Sequence, residues 1–338
     1  LEWSGSNLMT VFSQKRNLLR PKFHQMLSDI LRFNRHASIY LEKASRHRWT
    51  LRDLLEKEKY SESFVHWYLI PMGAAIWSTP VDQMMSFPAE TFIRFSMNHG
   101  LLQVQNRPQW KTIIGGSRTY VEKMAGAIHH IQTSNAVLDV YRADQKVSLQ
   151  TEAGVQRFDH VVFACHSDQT LAVAKNILSD SAQEILARVR YFDNIATLHT
   201  DRSFLPKRKM AWAAWNYTRS NTASHSHPVS ITYLINKLQP LPTSKPMLVT
   251  LNPHRPVAAD KVIHTVHFSH PIFDQPAIDA QKALPQVQGQ NGIWFCGAWT
   301  RYGFHEDGCM SGLQVAELLK SRLSTSTVQD ARETQLSL

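Results

Sequence analysis

Cysteine is scarce in this 338-residue chain, with Cys165, Cys296 and Cys309 the only three. Thiols so few and so scattered exclude a disulfide framework and a four-thiolate metal site, and they point to a reducing, cytoplasmic setting. Long apolar runs are missing as well. The longest, residues 68–77, contains Pro71 and is about half the ~20 residues that a membrane span needs. The 13 glycines nowhere form the G-x-G-x-x-G turn that cradles a dinucleotide pyrophosphate. Acids are the rarer charge: 27 stand against 37 lysines and arginines, a net charge of +10. Such a balance favours anionic partners. The excess leans to the amino end, through Lys15, Arg16, Arg20, Lys22, Arg32, Arg35, Arg46 and Arg48. Interleaved with apolar residues, these bases read either as a solvated face or as a surface for an anion. They form no basic run and no recognisable nucleic-acid motif, so a nucleic-acid partner is not expected.

What is present divides by period. Over residues 21–40 the apolar positions Phe23, Met26, Leu27, Ile30, Leu31, Phe33 and Ile39 keep mostly helical spacing. Thr50-Leu51-Arg52-Asp53 reads as a capping box, Ser61 opens a helix that stops at Pro71, and Pro88 begins one that Gly100 ends. Past residue 135 the pattern changes. Residues 136–141, 146–151 and 155–158 alternate like short antiparallel strands, and 161–165 is a continuous apolar run typical of a strand buried on both faces. Helix returns over 171–189, strands over 195–268, and Ile293-Trp294-Phe295-Cys296-Gly297 is a second buried strand. A loop of glycines and acids follows, then an amphipathic helix from Ser311, then a tail from 321 without periodicity.

A buried strand ending in glycine, a polar loop and a helix with Gly308, Ser311 and Gly312 in its first turn suit an anion, because small residues let a ligand reach backbone amides at a helix start. A plain strand–turn–helix crossover would carry the same residues. Trp294-Phe295-Cys296-Gly297-Ala298-Trp299, with Gly303, Gly308 and Ser311-Gly312, resembles the carboxy-terminal flavin segment of the flavin-containing amine oxidase superfamily. Phe158-Asp159-His160-Val161-Val162-Phe163-Ala164-Cys165-His166 resembles that superfamily's middle segment, and Gly115-Gly116-Ser117 its glycine pair near the flavin. Four stretches, residues 68–80, 98–104, 107–110 and 302–308, are similar to one branch: NAD/FAD-binding oxidoreductases often encoded beside, or fused to, cyclopropane fatty acid synthases.

The resemblance implies an α/β (mixed α+β) flavoprotein, with a Rossmann-like FAD domain built from separate segments around a helical and antiparallel-sheet substrate domain. It assigns residues 1–110 and 171–284 to the substrate domain, 111–170 and 285–320 to the FAD domain, and 321–338 to a disordered tail. It implies FAD held by Gly297, Ala298, Gly308, Ser311 and Gly312, with Gly115, Gly116 and Ser117 near its ring system. Ala164 and Cys165 would close the middle segment, and the strand of Val137 and Val140 would lie near the adenosine end. Many members carry an acid directly after the glycine matching Gly297; Ala298 stands here, which leaves Glu306 or Asp307 for a ribityl hydroxyl. The opening strand and glycine turn of the superfamily, about ninety residues with their extension, have no counterpart. The chain is therefore expected to be a fragment that binds FAD poorly and unfolds at lower temperature than a version extended upstream; equal midpoints would contradict this.

The branch implies an apolar or lipid acyl substrate and a functional link to a cyclopropane fatty acid synthase, while the basic amino-terminal helix region would fit approach to an anionic membrane surface without spanning it. An amine oxidase proper and a catalytically silent binding or scaffold protein are the alternatives. The aromatics Trp77, Trp110, Trp212, Trp215, Tyr217 and Tyr233 are either pocket or core. His305 with Glu306 is either an acid–base pair or a loop contact, and His99 is similar. No catalytic base is assigned. The histidines His264, His267 and His270 alternate along a strand and cannot converge on one ion, His225 and His227 lie in a polar loop, and no metal site is expected. Cys165 and Cys296 read as small hydrophobes.

Overall fold

The computed structural model describes residues 1–5, 7–104, 108–218 and 230–336, with the side chains of Leu8, Val81 and 325–336 left aside. Arg107, His225, His227 and Val229 lie outside the described residues. Ten strands are described: β1 (Val137–Ala143), β2 (Lys146–Thr151), β3 (Gly154–Phe158), β4 (Val161–Phe163), β5 (Tyr191–His199), β6 (Trp215–Thr218), β7 (Ser230–Leu234), β8 (Leu248–Leu251), β9 (Val262–Pro271) and β10 (Ile293–Phe295). The chain folds as two discontinuous units, Leu1–His129 with Phe192–His270, and His130–Tyr191 with Pro271–Leu338. The crossings fall near 129, 191 and 270, against 110, 170 and 284 from the sequence. The shift at 170 has a packing cause: the helices Ser167–Ala174 and Asp180–Ala187 bury Ala174, Ile185 and Leu186 in the same core as Phe163 and Phe295.

In the first unit the helix Pro21–His47 buries Phe23, Met26, Phe33, Ala37, Tyr40 and Ala44 at three- and four-residue spacing. The spacing continues seven residues past the expected end, because nothing breaks it before Arg48 turns left-handed at φ 52°. Leu31 and Ile39, expected on the buried stripe, face solvent instead. Phe33 sits among Tyr60, Phe64 and Phe92, with ring centroids 5.8, 5.6 and 6.5 Å away. The Thr50–Asp53 capping box forms as read, the Thr50 side chain accepting from the Asp53 amide while the Asp53 carboxylate accepts from the Thr50 amide. Pro71 does not stop its helix. A π-turn, Val65–Leu69, passes the Ile70 N–H to the Val65 carbonyl and leads into the helix Ile70–Trp77, whose first turn needs no donor from proline.

The unit's sheet runs β6-β7-β8-β5-β9. At the end of β5, His199 is fully buried. Its Nδ1 accepts from the Asp201 amide at 3.0 Å, which leaves its Nε2 to donate to Thr250 Oγ1 at 2.7 Å, and Thr250 Oγ1 lies 2.9 Å from Thr232 Oγ1. The three side chains pin β5, β7 and β8 together.

The second unit holds an antiparallel meander, β1-β2-β3, and a parallel pair, β4 with β10. The expected five-residue strand over 161–165 is three residues long. Paired only with β10 among the described residues, β4 leaves Val162 42% exposed and Ala164 and Cys165 open. The stretch read as one helix over 171–189 is two, because the Ser179 hydroxyl accepts from the Ala182 amide and starts a new one. The residues expected as a disordered tail continue the helix His305–Leu336, since neither glycine nor proline follows Gly312. No helix among the described residues is long and apolar enough to cross a membrane.

Burial holds the His199 imidazole below its ordinary pKa of 6.5; Asp201 opposes this and the Arg255 guanidinium adds to it. Burial does the same to His254. The unfolded chain therefore binds protons below pH 6.5 that the folded chain refuses, and stability falls as pH drops. Thermal unfolding followed by circular dichroism should show a midpoint that declines from pH 7.5 to pH 5.5, with a shallower decline in His199→Gln; a flat profile would contradict it.

Candidate functional site

Parallel pairing puts the carboxyl ends of β4 and β10 on the same edge of the second unit, with Ile293, Trp294 and Phe295 beside Val161, Val162 and Phe163. The Cys296 amide extends the ladder by donating to the Phe163 carbonyl at 2.9 Å. Both chains then turn away. Gly297 turns at φ 137°, where a Cβ would meet the Trp299 ring at 3.0 Å. The buried Trp299 indole donates to the Cys165 carbonyl at 3.2 Å, tying the two strand ends together. Gln281, on the helix Gln275–Ala283, bonds the carbonyls of Trp299 at 2.9 Å and Arg301 at 2.6 Å.

The loop closes onto its helix through Ser311, whose hydroxyl accepts from the Gly297 amide at 2.9 Å and donates to the Gly308 carbonyl at 2.8 Å. Asp307 is buried, accepts from the Phe304 amide at 3.0 Å and lies 3.5 Å from the Arg301 guanidinium. This cap starts the helix at His305, six residues before the expected Ser311, so Ser311 and Gly312 lie in the second turn. Asp307 is thereby committed to the fold, while Glu306 in the first turn stays exposed. A Cβ on Gly312 would meet nothing within 4 Å, and one on Gly308 only the Ala298 amide nitrogen at 3.8 Å. The strip of helix surface at Gly308 and Gly312 is thus bare, following amides in the first turn that have no carbonyl one turn back. A phosphate-bearing or polyhydroxyl ligand can lie there against backbone.

The structure brings together Ala164, Cys165, Gly297, Ala298, Gly308, Ser311 and Gly312. Val137 is half-buried on β1, and Val140 is fully buried in the unit's core, with Phe163 and Phe295. Gly115, Gly116 and Ser117 belong to the other unit, where two left-handed glycines (φ 85° and 78°) lead into the helix Ser117–Ala125. Cys165 is exposed, 3.4 Å from Thr170 Oγ1, rather than a packed hydrophobe, whereas Cys296 is buried and burial raises its thiol pKa. Two residues at this edge gave no sequence signal, because their partners lie far along the chain. One is Gln281. The other is Tyr191, whose hydroxyl accepts from the Ser167 amide at 2.9 Å and which burial pushes up to about 12, so the phenol is neutral.

Other candidates separate cleanly. Trp77 is core, against Phe87, Phe92 and Phe95, and Trp110 is exposed. Tyr217 and Tyr233 pack on Ala74, Ala75 and Ile231. His99 closes its helix, with Nδ1 2.9 Å from the Phe95 carbonyl, and stacks on Phe95. No group of three metal-binding side chains occurs among the described residues. A cleft of about 380 Å³ lies on the helical unit, with Arg52, Glu56, Lys59 and Asp82 among its walls.

No protein-family model matches the sequence, and no curated protein does. Solved structures do. The chain superposes on a structure assigned as a protoporphyrinogen oxidase from Exiguobacterium sp. 255-15, with a TM-score of 0.53 and 14% identity over 77% of this chain and 64% of that one. A conjugated-linoleic-acid-producing fatty acid isomerase from P. acnes gives 0.52 and 12%, over 75% and 62%. Putrescine oxidase bound to putrescine gives 0.59 and 12%, over 88% and 76%. The chain thus spans under two thirds of the first two proteins. The fold is the mixed helix-and-sheet fold of FAD-binding amine oxidases.

Gly297→Ala places a side chain in a left-handed turn against Trp299 and should lower unfolding stability by about 1–3 kcal/mol. Gly312→Ala, in a helix with open space around it, should hold or raise stability by up to about 1 kcal/mol. Urea denaturation of the two variants checks the order; equal losses would contradict it.

Proposed function

We propose that this protein is an FAD-dependent oxidoreductase that acts on an apolar substrate, a lipid acyl chain or a molecule of similar character. The observation that carries the flavin reading is the bare backbone edge at Gly297, Gly308 and Gly312, where two parallel strands end beside a helix start. It supports the reading because a dinucleotide cofactor needs close backbone approach more than it needs side chains. Gly297, Ala298, Gly308 and Gly312 would line the cofactor, with Ala164 and Cys165 at the neighbouring strand end. Ser311 would hold the Gly297 turn, and Glu306, exposed in the first turn, would bind a hydroxyl. The flavin, when bound, supplies the acceptor for a hydride or electrons. The chain's own contribution is a rigid edge, set by Ser311, Asp307, Gln281 and Trp299 before any ligand arrives.

The apolar substrate is the finer part of the proposal. It is supported by the resemblance of residues 68–80, 98–104, 107–110 and 302–308 to oxidoreductases often encoded beside, or fused to, cyclopropane fatty acid synthases. The fold shared with a fatty acid isomerase is compatible with it. A link to a cyclopropane fatty acid synthase belongs to the same proposal.

The protein at its full natural length should show a flavin spectrum and release FAD on denaturation. Gly312→Leu should weaken FAD binding by about tenfold or more while leaving the cofactor-free unfolding midpoint unchanged. Folded protein that takes up no flavin, or a variant with undiminished affinity, would overturn the flavin reading. Anaerobic bleaching of the flavin by fatty acyl compounds and not by alkyl amines is expected; the reverse, with aldehyde and peroxide formed in air, would replace the substrate by an amine.

A further inference from the structure

The basic excess of the chain gathers, in the first unit, around a single carboxylate. Residues 3–28 contain no acid, and neither do residues 202–259. Glu2 joins the two stretches. Its backbone bonds Gln14 and Asn17, its Oε1 accepts from the Lys207 amide at 3.0 Å, and its Oε2 takes the Arg208 amide and guanidinium at 3.3 and 3.0 Å. Burial works against the Glu2 charge, but these hydrogen bonds win and hold its pKa below the ordinary value. Glu2 is therefore spent on the scaffold. Asp29, the next acid along the chain, is buried and paired with Arg32.

Two short turns are thus fixed side by side. The Lys15–Leu19 turn is anchored by the fully buried Asn17, whose Oδ1 accepts from Arg20. The Lys209–Ala211 turn packs against the short helix Leu8–Val11. Between and around the bases stand four aliphatic side chains that no packing requires: Leu19 is 87% exposed, Met9 72%, and Leu18 and Met210 52% each. Lys15, Arg16, Lys22, Lys207 and Lys209 have no acidic partner among the described residues.

We propose that this face docks on an anionic lipid bilayer, with Leu18, Leu19, Met9 and Met210 entering the headgroup–acyl boundary and the surrounding bases meeting lipid phosphates. The charge complementarity is one-sided, which suits a negative leaflet. Protruding aliphatic side chains on rigid turns suit acyl chains, whereas a nucleic-acid backbone would leave them in water. The inference is independent of the flavin reading and of the edge at Gly297.

Co-sedimentation with phosphatidylcholine vesicles, with and without phosphatidylglycerol, tests it on the whole protein. Binding is expected only to the anionic vesicles and should weaken as salt is raised. With each base near the surface worth about fivefold in affinity, Lys15→Glu with Arg16→Glu should cost more than about tenfold, and so should Lys207→Glu with Lys209→Glu. Leu18→Ser with Leu19→Ser should also cost about tenfold, while Arg118→Glu, on the helix Ser117–Ala125 and paired with Glu122, should cost nothing. Far-ultraviolet circular dichroism separates lost affinity from lost fold, and the two charge pairs, on different turns, check one another. No binding to anionic vesicles, equal binding to neutral ones, or binding that ignores the leucines and is competed away by duplex DNA would each overturn the proposal.

Discussion

The hydrogen bond from the Cys296 amide to the Phe163 carbonyl carries the parallel register of β4 and β10 one residue past the end of β10, and what the second unit offers a ligand depends on that register. Parallel strands end at the same edge, so both chains must leave it there without blocking it. Gly297 turns in a region where other residues are strained, and Trp299 bridges back to Cys165. Ser311 then spends its hydroxyl on the Gly297 amide and the Gly308 carbonyl, and Asp307 caps the helix. Each bond is worth only about 1 kcal/mol net, but all act on one short stretch, the loop after β10 and the first two turns of the helix that follows. The loop is fixed by its own polar groups, and the bare helix surface beside it needs no ligand to hold it open.

Some of this was legible in the sequence, and for physical reasons. Ile293-Trp294-Phe295 is apolar throughout and bounded by glycines, so a short buried strand was the only economical reading. The three strands of the meander alternate cleanly and are separated by polar turns. The Thr50–Asp53 box and the Pro88 start are local signals that tertiary structure left alone. Illegible features were those set at a distance. Whether Val162 is buried depends on what pairs with β4, not on its being valine. Residues 305–307 looked like loop because the cap that starts the helix at His305 needs Asp307 turned back on Phe304 and held by Arg301. Pro71 looked like a stop because a sequence does not announce a π-turn, whose shifted bond from Ile70 to Val65 leaves proline in a first turn.

The candidate site divides the same way. Gly297, Gly308, Ser311 and Gly312 stood out because small residues around a strand–helix turn are visible in one dimension. Gln281 and Tyr191 were invisible because each acts on backbone about twenty residues away or more. Trp77 and Trp110 were indistinguishable as letters; only packing makes the first core and the second surface.

The charge of the chain resolves into two kinds of anion recognition. Near Gly297 the one arginine of the loop, Arg301, already faces Asp307, and the amides around the helix start are the positive groups left for a ligand. Around Glu2 the opposite holds: lysines and Arg16 without an acidic partner among the described residues stand among exposed leucines and methionines. Fixed amides discriminate by shape, since a ligand must fit the backbone to reach them. Flexible bases over an apolar tip discriminate by charge density and by the presence of a hydrocarbon layer, and hardly by shape. A net charge of +10 is therefore a poor guide to the bare edge at Gly297 and a good one to the surface around Glu2, because only the second uses the side chains that the count includes.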